Sequence, residues 1–474
     1  MAEKLKLDYK KTLLIGFGFM ATSIAWAIYD PYVSKLLSEL LTKSDYVSDL
    51  STRLATNVPF LLKLMEAQEG KGAAGAGFTL VPLFVGIIMT FDNVFGVIFQ
   101  PLFGKLSDRT HSRFGKRRPF IFVGAPLAAV FFVLIPRMQT IPALMICVIL
   151  YVFIMSTWRA PVVALMPDLT PPVLRSEGNA IINLTGGIGG LIGMFAGTLL
   201  ALVFGLNKDL NEERPFVFIL GACVMILGTL VLAFFVKEPD SRLQKIADYA
   251  KEGGFDKDEA KKKEKAKLKA MKLGKAEKRS LIFMLGALFF HFAGANSIQT
   301  FFALFADEIL GKSTADATLM LGVFGLAAMA AAIPAGKLGT KYGRKKMIMT
   351  GLAGFIVMFV LYALTKQMWL MWPALIVGGV ANMFITVNTL PLVLEIGGLE
   401  KVGTFTGYYY TATFSAQVAA PILYGVVRVL SGTYMSLFVF CPIAFALSLL
   451  CIWQVRHGEA IPESVIKEAE MQDA

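Results

Sequence analysis

The sequence predicts an all-α membrane protein with twelve transmembrane helices in two six-helix halves. Three observations predict it. The 474 residues are 56% hydrophobic and only 17% charged, where a soluble domain is about one quarter charged. The mean hydropathy is +0.63, and the apolar residues gather in runs of the length, about 20 residues, that crosses about 30 Å of hydrocarbon as a helix. A polar stretch from Lys237 to Arg279, with fifteen bases and nine acids, separates six such runs from six more. Collagenous, disordered and disulfide-scaffold classes are excluded.

In chain order the spans are expected near residues 12 to 30, 79 to 102, 119 to 136, 141 to 165, 180 to 205, 215 to 236, 281 to 305, 317 to 335, 347 to 365, 368 to 394, 403 to 427 and 433 to 454. Each is an apolar run bounded by charge. Lys4, Lys6, Lys10 and Lys11 lead into the first without a small-residue cleavage site, so it is expected to act as its own insertion signal. Alternate loops hold 34 and 11 Lys or Arg residues, which puts both termini on the cytoplasmic side of a plasma or inner membrane. The net charge of +12 is spread over these membrane-flanking loops, so topology accounts for it and no nucleic-acid partner is implied. The expected organisation is an N-terminal half, 1–236, a basic cytoplasmic linker, 237–279, and a C-terminal half, 280–474.

The segment between Val33 and Gly77 is long for an outer loop; its apolar pieces SKLLSELL and PFLLKLM are expected to form short surface helices. Cys147, Cys223, Cys441 and Cys451 lie inside apolar runs without zinc-ligand or CxxC spacing and read as buried packing residues. In span five, Gly186 with Gly190, and Gly189 with Gly193 and Gly197, form GxxxG spacings that close helix packing explains without a ligand.

An internal repeat supports the division into halves. GKLSDRTHSRFGKRR, from Gly104 to Arg118, follows span two, and GKLGTKYGRKK, from Gly336 to Lys346, follows span eight. Pro161 in span four likewise matches Pro391 in span ten. Two parallel repeats enclosing a midplane site are a common plan for secondary transporters.

The pattern GxLSDR followed by RxG and clustered bases resembles the signature of the major facilitator superfamily. Gly104, Asp108, Arg109, Arg113, Gly115 and Arg117 occupy its positions, which implies a charge cluster that one conformation closes and another opens. The longer QPLFGKLSDRTHSRFGKRRPF is similar to the glycoside-pentoside-hexuronide:cation symporters, and within them to the sucrose-carrier-like branch. APVVALMPDL, Arg175, Gly178 and Asn179 extend the likeness through the N-terminal half. The resemblance implies the major facilitator fold and a proton- or sodium-coupled sugar carrier working by alternating access. Three positions depart from it: Gln100 and Gly96 stand where the melibiose-carrier branch has carboxylates, and Val163 stands where plant sucrose carriers have an Arg, with Arg159 one turn earlier.

Asp92, in MTFDNVFG, is flanked by uncharged residues, and a charge at such depth costs about 3 kcal/mol or more unless paired or solvated. It reads as a proton carrier or as a fixed partner of Arg159, the one cation inside the mapped spans. Arg159 has a fork of donors for sugar hydroxyls. A sodium site needs several hard oxygens, whereas a proton needs one desolvated carboxylate, so H+ is the expected coupling ion, with Na+ as the alternative. No further cofactor or metal is implied. Sugars call for aromatic faces and amide or hydroxyl groups; the candidates are Trp26, Tyr29, Asn93, Trp158, Asn183, Asn296, Gln299, Asn388 and Tyr409, with Asn382, Tyr408, Tyr410 and Gln417 beside them.

Asp30 is expected at the outer rim, in a capping or gating role. His291 reads as an interhelical donor in preference to a proton relay, and Asp168 and Glu395 as gate or helix-end charges. His111 and His457 are too scattered to complete a metal triad. The chain has no GxxxxGK, HExxH or nucleophile elbow, which argues against an enzyme or an ATP-driven pump. The expected function is therefore a sugar:proton symporter for a glycoside such as sucrose or maltose, monomeric and surrounded by lipid. A lipid or amphiphile carrier and a proton-driven efflux antiporter are the alternatives, and a sugar sensor that does not transport is the remaining class.

Overall fold

The computed structural model describes residues 8–69, 79–110, 112–170, 175–238, 274–397 and 402–457. Its helices are α1 (Tyr9–Thr42), α2 (Asp45–Asn57), α3 (Pro59–Glu69), α4 (Val81–Met89), α5 (Phe91–Arg109), α6 (Arg118–Leu134), α7 (Ile141–Leu169), α8 (Arg175–Phe204), α9 (Arg214–Phe235), α10 (Lys275–Leu310), α11 (Thr314–Tyr342), α12 (Arg344–Thr365), α13 (Met368–Gly397), α14 (Val402–Ser431) and α15 (Leu437–Gln454). Among the described residues, twelve helical segments are long and apolar enough to cross a membrane, with α4 and α5 forming one of them.

Proline starts several of these helices where its missing N–H costs nothing: α4, α6, α7 and α9 each have one in their first two positions. The Asp8 carboxylate caps α1 by accepting from the Lys11 N–H at 3.0 Å. Span one is longer than expected. α1 continues through Asp30 to Thr42, so SKLLSELL belongs to its last turns and is not a separate surface helix, whereas PFLLKLM lies in α3. Span two is broken at Thr90, whose hydroxyl turns back to the Gly86 carbonyl at 2.8 Å, and the break puts Asp92 in the first turn of α5. Cys223, expected to be buried, is exposed on α9, while Cys147 and Cys441 are buried. Residues 239–273 of the expected linker, His111 and the loop around Gly77 lie outside the described residues, whereas the linker's last residues, 275–279, form the first turn of α10.

The chain divides into two compact units. The first comprises residues 1–253, 299–322 and 421–434, and thus includes α1 to α9, the later part of α10, the start of α11 and the end of α14. Its centre is α1, against which α8 packs along the glycine stripe. A Cβ on Gly189 would stand 2.5 Å from the Met20 carbonyl oxygen, and one on Gly193 3.0 Å from the Ala27 Cβ. Glycine is what lets the two backbones approach this closely. The late α10 segment joins α1 through the Lys35–Asp307 ion pair, and Lys208 reaches Asp316 at 2.6 Å. Arg214 grips Glu39 with two bonds of 2.9 and 2.8 Å, while burial pushes the neighbouring Glu213 carboxyl above its ordinary pKa.

The second unit comprises residues 254–298, 323–420 and 435–474. Its core is aromatic: Phe355 stacks on Phe445 with centroids 4.7 Å apart, Phe359 on Phe438 at 5.0 Å, and Tyr362 meets Phe438 at 4.5 Å. Such pairs add about 0.5–1.5 kcal/mol each beyond the area they bury. Early α10 packs on α14 through Ala293, Ala416 and Ala420, and on α15 through Ser448, which donates to the Ala287 carbonyl at 2.8 Å.

Candidate functional site

In the first unit, α1 presents Trp26, Tyr29 and Asp30 at i, i+3 and i+4, one helical face. Tyr151 and Arg159 share a face of α7 in the same way, two turns apart. These faces meet. The Arg159 guanidinium carbon lies 5.5 Å from the centroid of the Trp26 ring, Tyr29 stacks on Tyr151 at 5.4 Å, and Trp26 meets Tyr29 edge-on at 5.4 Å. Phe132 closes the cluster behind Tyr151 at 5.2 Å.

The charges converge on this aromatic wall. Asp92, Asp30 and Arg159 lie within electrostatic reach of one another, and Tyr29 and Tyr151 lie within reach of both carboxylates. The Asp92 carboxylate is steadied by the Asn93 backbone N–H at 2.7 Å and side-chain amide at 2.9 Å. Its place in the first turn of α5 puts it at the positive end of the helix dipole. Asp30 accepts from Gln299 Nε2 at 2.7 Å. Arg159 has no ion pair within 4 Å among the described residues, and the Trp26 Nε1, Tyr29 hydroxyl and Tyr151 hydroxyl are buried with no protein partner. The site thus offers one guanidinium and three donors free for a ligand, balanced by two carboxylates.

Six of the residues expected from the sequence are therefore brought together: Asp92, Arg159, Trp26, Tyr29, Asn93 and Gln299. Asp30, expected at the rim, lies among them because α1 runs on past it. Tyr151 was not anticipated, although its position eight residues before Arg159, two turns along the same face, was a usable signal. Trp158 is elsewhere: it is fully buried and packs on Gly124 of α6, since neighbouring residues on a helix diverge by about 100°. Asn183 is exposed on α8.

The remaining candidates belong to the second unit. Asn296 donates to the Phe292 carbonyl of its own helix at 2.7 Å. Asn388, 2% exposed, donates to the Ala335 and Phe384 carbonyls at 3.3 and 2.9 Å. Tyr409 is buried and bonds to Thr389, while its neighbours Tyr408 and Tyr410 are exposed. His291 is 1% exposed among Phe292, Phe355 and Phe445, and neither ring nitrogen has a hydrogen-bond partner among the described residues, so it is not the interhelical donor expected.

The basic loop after α5 is organised by Arg117. Its guanidinium pairs with Asp108, bonds Asp168 at 2.8 Å, and donates to Ser107 and to the Gly104 carbonyl. Burial alone would lower its pKa; the bonds from Asp168 and Asp108 more than reverse this and raise it above the ordinary value. Glu238, which sequence reasoning did not single out, accepts the backbone N–H groups of Lys116, Arg117 and Arg118 at 2.7–3.2 Å. Gly115 has φ +101°, and a side chain there would strike Glu238. Arg113 lies over Phe114 and Arg109 is exposed. In the second unit Arg344 pairs with Glu395; like Arg117 and Asp168, the two are 51 residues apart.

The comparisons agree with this architecture. The chain is 27% identical over 294 residues to the class H tetracycline resistance protein of Pasteurella multocida, covering 61% of the chain and 66% of that protein. It is 27% identical over 192 residues to the sucrose transport protein SUC3 of Arabidopsis thaliana, covering 33% of the chain and 31% of that protein. The chain thus spans less than two thirds of either relative. A D-xylose-proton symporter has the same fold at a TM-score of 0.65 and 15% identity, covering 93% of this chain and 96% of that one. The family described as MFS/sugar transport protein matches residues 78–397, more than half of the sequence. The chain is therefore an integral, multi-pass membrane transporter and not an enzyme, and it belongs to the MFS/sugar transport family of the major facilitator superfamily.

Proposed function

We propose that the protein couples the uptake of a glycoside, of the size of sucrose or maltose, to the entry of a proton by alternating access. The observation that carries this reading is Arg159, held over Trp26 beside Asp92 and Asp30 with no ion pair among the described residues. Two carboxylates against one guanidinium leave an excess negative charge that a single proton neutralises, and a desolvated carboxylate holds that proton more readily than an exposed one. The unpartnered indole and phenol donors and the Arg159 fork suit sugar oxygens, and the Trp26 and Tyr29 rings suit the apolar face of a pyranose. The family's sugar-transport description and the sucrose transport relative support the substrate class. In this reading the protein is a monomer in a plasma or inner membrane with cytoplasmic termini, and its six-helix halves, 1–236 and 280–474, rock about the site across the 237–279 linker.

The test is uptake of radiolabelled glycosides into proteoliposomes under an imposed pH gradient and, separately, an imposed sodium gradient. Uphill uptake driven by the pH gradient alone is expected; no sugar movement under either gradient would remove the reading. The tetracycline resistance relative favours a second one, proton-driven efflux on the same fold. In that case the substrate leaves as protons enter.

A further inference from the structure

Two ties join α1 to the later part of α10 inside the first unit. One is the Lys35–Asp307 ion pair; the other is the bond from Gln299 Nε2 to Asp30 Oδ2 at 2.7 Å. They differ in what they respond to. The outer tie joins a lysine to an aspartate that takes no part in the charge cluster. The inner tie ends on a carboxylate of the charge cluster. The titratable and charged groups facing Asp30 are Asp92 from α5, Arg159 and Tyr151 from α7, and Tyr29 beside it on α1; from α10 it meets the neutral Gln299.

We propose that the Gln299–Asp30 hydrogen bond is a proton-sensitive latch that reports the charge of the Asp30/Asp92/Arg159 cluster to α10. While Asp30 is ionised, the amide donates into a charge-assisted bond. A proton on Asp30 turns this into a neutral bond about half as strong, and the exposed Gln299 side chain then exchanges the carboxyl for water. Asp92 lies within electrostatic reach of Asp30, so a proton on either carboxylate lowers the negative charge that Gln299 meets. This gives Gln299 a conformational role and gives Asp30 a place in coupling. The inference rests on the proton-coupled reading above.

The test uses the full chain in proteoliposomes without sugar. Spin labels at Lys43→Cys and Lys312→Cys, exposed positions beyond the two ties, in a chain whose free, exposed Cys223 is replaced by Ser, report the spacing of α1 and α10 at about pH 8 and about pH 5. In an otherwise unmodified chain the longer-distance population is expected to rise about fivefold on acidification, the difference between a charged and a neutral hydrogen bond. Gln299→Leu is expected to hold that longer population at both pH values, and the isosteric Asp30→Asn to make the spacing blind to pH. Gln299→Glu reverses the response: two carboxylates repel at high pH and share a proton at low pH. A spacing that ignores pH in the unmodified chain, an Asp30→Asn variant that tracks it, or a Gln299→Glu variant that responds in the original sense would each overturn the latch. No sugar enters the readout, so failed sugar uptake would remove the transport reading alone, and pH-driven uptake with a pH-blind spacing would remove the latch alone.

Discussion

Arg159 holds its guanidinium 5.5 Å from the Trp26 ring centroid. Cation–π contact steadies the group without using its five N–H donors, which is how a binding site keeps a cation aimed but unspent. Arg159→Lys keeps the charge and loses the planar fork. It is expected to weaken substrate binding about 10- to 100-fold, the loss of one or two charge-assisted hydrogen bonds. Trp26→Phe, which retains a ring face, should cost less. Concentration dependence of counterflow in proteoliposomes measures both; equal affinity in Arg159→Lys would take the guanidinium out of the binding role.

Asp92 is held at the first turn of α5 by two bonds from Asn93. Asp92→Asn preserves shape and removes the titrating group. The expected outcome is loss of uphill accumulation under a pH gradient, with exchange of labelled for unlabelled substrate retained to within about tenfold, because exchange needs no net proton movement. Normal accumulation in this variant would exclude Asp92 as the proton carrier.

Arg117 and Arg344 are the hubs of repeated loops with unequal surroundings. The Arg117 side chain is 6% exposed, bonded to Asp168, Asp108 and Ser107, while that of Arg344 is 21% exposed and pairs with Glu395. Burying a cation makes its partners obligatory. Arg117→Lys is expected to lower stability by about 1–3 kcal/mol and Arg344→Lys by about 1 kcal/mol or less. Thermal unfolding in detergent resolves the difference; an equal effect at both positions would show that burial at Arg117 is not what matters.

Much of the architecture was legible in the sequence because hydrocarbon thickness and loop charge are strong constraints: twelve apolar runs became twelve spanning segments. What escaped was set by tertiary contact. Span one was expected to stop near Asp30, since a charge followed by proline reads as a helix end. In the structure Pro31 stays inside α1, and Asp30 gains Gln299 and Arg159 as neighbours. Tyr151 and Glu238 were missed for the same reason: one looks like any tyrosine in an apolar run, the other like any acid in a polar linker. Their partners, Tyr29 and the 116–118 backbone, come from distant parts of the chain.

The glycine stripe of α8 separates packing from composition. A Cβ on Gly189 would meet the Met20 backbone, yet one on Gly190 would meet nothing within 4 Å. Gly189→Ala should therefore cost about 1–3 kcal/mol through overpacking. Gly190→Ala should be neutral or stabilising by up to about 1 kcal/mol, since alanine is the better helix former. Unfolding temperatures of the two variants check this, and equal effects would refute the close approach of α1 and α8.

Glu213 offers a pH dependence whose sign follows from its surroundings. Its side chain is fully buried, Oε2 has no partner among the described residues, and burial raises its pKa despite Arg214 and the Tyr32 hydroxyl nearby. A carboxyl with a raised folded-state pKa binds its proton more readily folded than unfolded. Its contribution to stability is therefore fully present below the unfolded value of about 4.3, and is lost as pH rises through the higher folded value. Unfolding temperature should fall with rising pH across that window, and Glu213→Gln should flatten this component whatever it does to the absolute temperature. The check is the difference between the two pH profiles. A constant offset from about pH 4 to about pH 8 would mean that Glu213 is ionised throughout, with Arg214 and not burial setting its state.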